Sequence, residues 1–311
     1  MFEAGLMNGH VCMITGGGSG LGRAIAANLV RYGARVVLLG RRREVLEACA
    51  RELGPEQVLP VNCDVRFVDE VEAALQLSLD QFGQVNSLVN SAAGNFISPT
   101  ERLSTNAFKL IIDTVLMGTM HCSLTLGKHW ISTGQKGSVL NIVTNYAQTG
   151  SPYVVPSACA KAGVENMVKS LAAEWGRYGL RFVGISPGPF PTEGAMGQLR
   201  IYDELLPGVD IPKFIAQRIP LGRLGHLHEL ADLATFLLSK NAEYINGEII
   251  RIDGGETPCL AGEFSFMHDV PQSTWDREAR HLKRRPAPIS EQHFPTSTPP
   301  HQEHHNEHQP T

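Results

Sequence analysis

Short apolar, β-branched runs alternate along this chain with longer segments whose apolar residues recur at helical spacing. The runs Val11–Thr15, Arg35–Leu39, Val58–Asn62, Ser87–Asn90, Val139–Val143, Arg181–Ser186 and Glu248–Ile252 predict strands. Segments near 21–32, 43–53, 68–82, 105–132, 157–177 and 228–238 predict the helices between them. Parallel strands require such crossovers, so the βαβα alternation predicts an α/β fold: a parallel sheet with helices on both faces. No internal repeat interrupts it.

The pattern stops beyond Arg285. The remaining segment is rich in Pro and His, from Pro286 and Pro288 to His304, His305 and His308, and has almost no large apolar residues. Such a stretch buries too little surface to offset its ordering entropy. The expected organisation is therefore one domain over 1–284 and a disordered tail over 285–311. The histidines of the tail have no fixed geometry, so no metal site is expected there.

Composition narrows the function classes. Of 311 residues, 42% are apolar and 19% charged, enough for a sizeable core. The formal net charge of -4 argues against a nucleic-acid partner, which calls for a basic surface. No uninterrupted apolar run approaches the roughly 18 to 20 residues of a spanning helix, so no integral membrane contact is expected. The six cysteines have no Cys-x-x-Cys spacing and suggest neither a zinc site nor a disulfide framework. The first strand begins at Val11, which leaves no visible signal or presequence, and the chain does not end in Ser-Lys-Leu.

Candidate chemistry begins after the first strand. Gly16, Gly17, Gly18, Ser19, Gly20 and Leu21 lie between a strand and a helix. Glycines there let backbone N–H groups approach a pyrophosphate, and the helix offers its positive N-terminal end. That context makes the run a dinucleotide site. The second strand ends in Arg41-Arg42-Arg43, where an NAD site usually carries a carboxylate. A guanidinium forks onto phosphate oxygens, so the expected cofactor is NADPH, held by Arg41; Arg43 reads as a solvated helix-opening charge. Asp64, after the third strand, could accept from the adenine amino group.

Thr15-Gly16 to Gly22, Asn90-Ser91-Ala92-Ala93-Gly94, Pro187-Gly188-Pro189 and Asp253-Gly254-Gly255 stand at the ends of the first, fourth, sixth and seventh strands. Over about residues 8–262 this resembles the short-chain dehydrogenases/reductases. The resemblance implies a single doubly wound Rossmann-type domain with a seven-stranded parallel sheet, commonly a homotetramer, with Pro187, Gly188, Pro189 and Phe190 against the cofactor. The usual Tyr-x-x-x-Lys keeps Lys161, but Ser157 stands at its tyrosine, Thr144 at the upstream serine, and Val115 at the usual helix asparagine. A serine hydroxyl, with its far higher pKa, is a poor substitute for that phenol.

The 2,4-dienoyl-CoA reductases show the same substitution and carry a tyrosine earlier, where this chain has Tyr146. The loop from Ala92 to Ser104, Val154-Val155-Pro156-Ser157 and Leu171 to Gly176 are similar to the mitochondrial members of that branch. The resemblance implies that Tyr146 and Asn95 hydrogen-bond the thioester oxygen, that Lys161 holds the nicotinamide ribose, and that Ser157 supports the site. It further implies a fatty acyl-CoA substrate contacted by Arg41, Arg66, Phe96, Ser104 and Tyr146, under a lid between Glu193 and Pro220. Gln198 departs from the Arg expected in that lid, with Arg200 two residues on; Arg200, Lys213 and Arg218 read as solvated charges. Two other readings stay open: a carbonyl or alcohol reductase using Tyr153 or Tyr146, and a non-catalytic NADP-binding protein. The resemblance implies a mitochondrial location; with no presequence visible, the expectation is either a processed or truncated form or a cytosolic protein.

Overall fold

The computed structural model describes residues 2–198 and 207–284. The expected tail, 285–311, and Arg200 lie outside the described residues. The chain divides into two units, Met1–Gly262 and Glu263–Thr311, so the main unit ends before the expected 284. In the second unit the described residues form a helical turn, Ser265–Asp269, and a strongly polar helix, Gln272–Arg284.

The first unit is built on seven strands: β1 (Val11–Thr15), β2 (Arg35–Gly40), β3 (Val58–Asn62), β4 (Ser87–Asn90), β5 (Gly137–Ile142), β6 (Leu180–Pro187) and β7 (Ile249–Ile252). All pairs are parallel, in the order β3-β2-β1-β4-β5-β6-β7. The order reverses between β1 and β4, where doubly wound sheets bind ligands. The main crossover helices are α1 (Gly20–Arg31), α2 (Arg43–Leu53), α3 (Val68–Phe82), α4 (Thr105–Ile112), α5 (Gly118–Thr133), α7 (Val155–Trp175) and α10 (Leu227–Leu238). Shorter helices are α6 (Tyr146–Thr149), α8 (Glu193–Gln198), α9 (Ile211–Ala216) and α11 (Glu256–Ala261).

Each central strand is buried on both faces, which is why the strands read as apolar runs. Ile14, Leu38, Leu140 and Ile185 point into one core with Ile25, Leu29 and Leu237; Met13, Val37, Leu88 and Phe182 point into the other with Leu126 and Trp130. The fully buried Trp130 donates its indole N–H to the Val85 carbonyl at 2.7 Å. A Cβ on Gly137 would come within 2.3 Å of that indole, so β5 begins on two small residues that carry no apolar signal.

Two expectations need correction. The segment Thr105–Thr133 is, by length and composition, apolar enough to cross a membrane. Part of that apolarity is a seam laid on the sheet, with Cys122, Leu126 and Trp130 fully buried. The predicted helix over 105–132 is also not continuous α-helix, because Asp113–Met117 is a π-helical turn. Thr119 Oγ1 donates to the Val115 carbonyl at 2.6 Å there, and Val115 stands where the sequence resemblance places an asparagine. Its Val115 packs with Ile111 and Ala160, next to the helix carrying Lys161.

Candidate active site

The glycine turn follows from close approaches that exclude side chains. Gly16 has φ +65°, and a Cβ on Gly22 would lie 2.5 Å from the Gly16 carbonyl oxygen. The first turn of α1 can therefore sit directly against the loop. Thr15 Oγ1 accepts from the Ser91 and Ala92 N–H groups, both at 3.0 Å, which joins the ends of β1 and β4 across the switch point. Beside this junction Gly16, Gly18, Ser19, Arg41, Arg42 and Asp64 line a cavity of about 170 Å³.

The residues lining this cavity suit the adenosine-phosphate end of a dinucleotide. Ser19, the N-cap of α1, lines it, and Arg41 and Arg42 are exposed cations just past β2 with no carboxylate at that strand end. Sequence reasoning chose Arg41 alone; Arg42 also lines the cavity. Arg43 instead pairs with Glu47 at 2.7 Å along α2. Asp64 is held by Arg66, with Nη2 at 2.5 Å from Oδ2 and Nε at 3.0 Å from both oxygens. That guanidinium keeps the Asp64 carboxyl below the usual carboxylate range. Arg66, expected on the acyl-CoA, is thus engaged beside the nucleotide cavity.

On the other side of the switch point, Tyr146 opens the single-turn helix α6. Its hydroxyl is 3.1 Å from Ser157 Oγ on α7. Ser157 and Lys161 are one turn apart on α7 and both are buried. The Lys161 ammonium donates to the carbonyl of Ile142, the last residue of β5. Burial pushes its pKa down from 10.5 to about 8. A phenol hydroxyl from position 146 thus stands beside the serine at position 157.

Asn95 lies in the loop after β4. Its Oδ1 accepts from the Phe96 N–H at 2.9 Å, which leaves Nδ2 as its donor. That loop is tied to the segment after Tyr146 by the Ser98 N–H, which donates to the Tyr153 carbonyl at 2.9 Å. Tyr153 is half exposed, and among the described residues it alone has positive φ (65°) without being glycine. Phe96 is exposed and near this junction. Ser104 caps α4, accepting from Ala107 N–H at 3.1 Å, so its oxygen already has a structural task.

A second cavity, about 510 Å³, is lined by Thr144, Tyr146, Pro187, Gly188, Pro189, Arg218, Glu256 and Leu260. Arg218, read as a solvated charge in the sequence, is exposed and also lines this cleft. Burial pushes the Glu256 carboxyl up, and Arg218 opposes that rise. Neither residue carried a sequence signal, because α9, α11 and their loops come to the cleft only through the tertiary fold. The Phe190 ring is buried against Gly225, on which a Cβ would come within 2.4 Å of it. The helix of Gln198 is described but its side chain is not, and Arg200 lies outside the described residues.

The surroundings of this site have relatives. A family model described as enoyl-(acyl carrier protein) reductase matches residues 16–257. An uncharacterized oxidoreductase of Caenorhabditis elegans is 44% identical over 287 residues, covering 90% of this chain and 90% of that protein. A probable 2,4-dienoyl-CoA reductase 3, (3E)-enoyl-CoA-producing, of the same organism is 42% identical over 277 residues, 87% of this chain and 88% of that one. The crystal structure of a short chain dehydrogenase from Bacillus anthracis has a TM-score of 0.74 and 42% identity, covering 86% of this chain and 100% of its own.

Proposed function

The chain belongs to the short-chain dehydrogenase/reductase family of oxidoreductases, and from that membership we propose that it reduces 2,4-dienoyl-CoA to 3-enoyl-CoA with NADPH. The observation that carries this reading is the Tyr146 hydroxyl at 3.1 Å from Ser157, with Lys161 one turn further along α7. NADPH, when bound, supplies a hydride, which adds to the δ-carbon of the conjugated thioester. The resulting negative charge delocalises to the thioester oxygen as a dienolate. Tyr146, with Asn95 Nδ2, donates hydrogen bonds to that oxygen, where preorganised donors are most effective. A proton that comes from solvent, directly or through Tyr146, adds at the α-carbon and completes the 3-enoyl-CoA.

The remaining residues bind and orient. Gly16–Leu21 hold the pyrophosphate, Arg41 and Arg42 the 2′-phosphate, and Lys161 the nicotinamide ribose. Ser157 fixes the phenol. Pro187, Gly188, Pro189 and the Phe190 backbone line the nicotinamide side, with Asp64 beside the adenine. Phe96 borders the acyl-CoA path, while Arg66 holds Asp64 and Ser104 caps α4. The substrate places the reaction among the auxiliary steps of unsaturated fatty-acid β-oxidation, in the mitochondrion by the sequence resemblance, with a homotetramer as the assembly.

Incubation with 2,4-decadienoyl-CoA and NADPH carrying deuterium at the transferable position tests the reading. Deuterium at the δ-carbon with the double bond between the β- and γ-carbons supports it. Deuterium on the carbinol carbon of a ketone substrate, and none in the dienoyl-CoA, would make the protein a carbonyl reductase.

A further inference from the structure

Tyr146 sits on a helix of one turn, and one turn has no stability of its own. The orientation of the phenol must therefore come from what holds the turn. Two side chains flank it. Asn145 accepts from Ser186 Oγ at 3.0 Å and donates to Asp253 Oδ2 at 3.2 Å, which fixes the start of the turn to the ends of β6 and β7.

Gln148 spans the other side. Its Nε2 donates to Glu165 Oε2 on α7 at 3.1 Å, and its Oε1 accepts from Arg251 Nη2 on β7 at 2.7 Å. Glu165 is 5% exposed, and its other oxygen, Oε1, is buried with no partner among the described residues. Gln148 is therefore the one side-chain donor this buried carboxylate has among them. Losing that bond would leave the whole carboxylate without a donor, at a cost well above that of an ordinary hydrogen bond. The cost is what makes the anchor stiff.

Resting on the dienoyl-CoA reductase reading, we propose that Gln148, anchored on Glu165 of α7, is a positioning residue that keeps the Tyr146 hydroxyl at Ser157. Glu165 lies one turn beyond Lys161 on α7, so the same helix carries the ribose-binding lysine, the serine that meets the phenol, and the anchor of the phenol's own turn. A displacement between α6 and α7 would move the donor away from the developing oxyanion while leaving both cavities intact.

An exchange of polarity across this pair tests the proposal. Gln148→Glu sets two carboxylates against each other and is expected to lower kcat about tenfold, the scale of a donor misplaced by a fraction of an ångström. Adding Glu165→Gln restores a donor–acceptor pair with the direction reversed, leaves Arg251 a carboxylate partner, and is expected to bring kcat back to within about twofold of wild type. KM for NADPH stays constant throughout. The same variants are made on Tyr146→Phe, where the proposal expects neither to change the residual rate. A loss in Gln148→Glu that the second change does not recover, or an equal loss on Tyr146→Phe, overturns the positioning role alone. If Tyr146→Phe is as active as wild type, the reading of Tyr146 as donor falls, and the positioning role falls with it.

Discussion

The hydroxyls of Tyr146 and Ser157 meet at 3.1 Å although the residues lie on different helices. Ser157 occupies the position where a tyrosine would ordinarily stand in this family. The contact makes the serine a support for a phenol delivered from outside the helix. Ser157→Ala should therefore lower kcat about tenfold while the phenol remains, through loss of orientation rather than of the donor itself. Steady-state kinetics with the dienoyl thioester measure this; a larger loss than in Tyr146→Phe would reverse the two roles.

Lys161 sets a pH dependence. Burial lowers its pKa from 10.5 to about 8, so between these values the unfolded chain binds a proton that the folded chain has released. Stability from this group accordingly rises across that window, as the penalty for a buried charge disappears. Function moves the opposite way, because the ammonium is lost as a donor to the ribose. kcat/KM for NADPH should fall above about pH 8, and Lys161→Met should abolish that limb while raising KM at neutral pH. An alkaline limb unchanged in Lys161→Met would assign the titration elsewhere.

Arg41 and Arg42 are exposed at the end of β2, where no carboxylate stands to take a ribose hydroxyl. Removing both as Arg41→Ala/Arg42→Ala should raise KM for NADPH about tenfold to a hundredfold, the range of one or two charge-assisted hydrogen bonds, and barely change KM for NADH. Equal effects on the two cofactors would show that these side chains do not read the 2′-phosphate.

The core prediction concerns Trp130, which is fully buried, bonded to Val85 and packed over Gly137. Trp130→Ala should cost about 3–5 kcal/mol, as for other large-to-small core changes. Urea unfolding of the variant checks the figure.

The strands were legible because a parallel sheet covered on both faces needs apolar residues at every position, as in Val36–Leu39. The nucleotide turn was legible because Gly16 and Gly22 answer to backbone crowding that no other residue permits. Arg218 and Glu256 were not, since loops that fold over the sheet bring them to the cleft without any local pattern. Gly137 hid the start of β5, because the strand there is defined by the indole above it. The π turn at Asp113–Met117 was also hidden, with no asparagine to announce it. Gln148 and Glu165 are 17 residues apart on two helices, and only the fold pairs them.

The most direct test of the central claim follows NADPH and dienoyl absorbance together in one anaerobic reaction with 2,4-decadienoyl-CoA, for wild type and Tyr146→Phe. The account predicts equimolar loss of the two in wild type, and a rate about a hundredfold to a thousandfold lower in Tyr146→Phe, the cost of one oxyanion donor. NADPH oxidation with simple ketones and an undiminished dienoyl absorbance would contradict it.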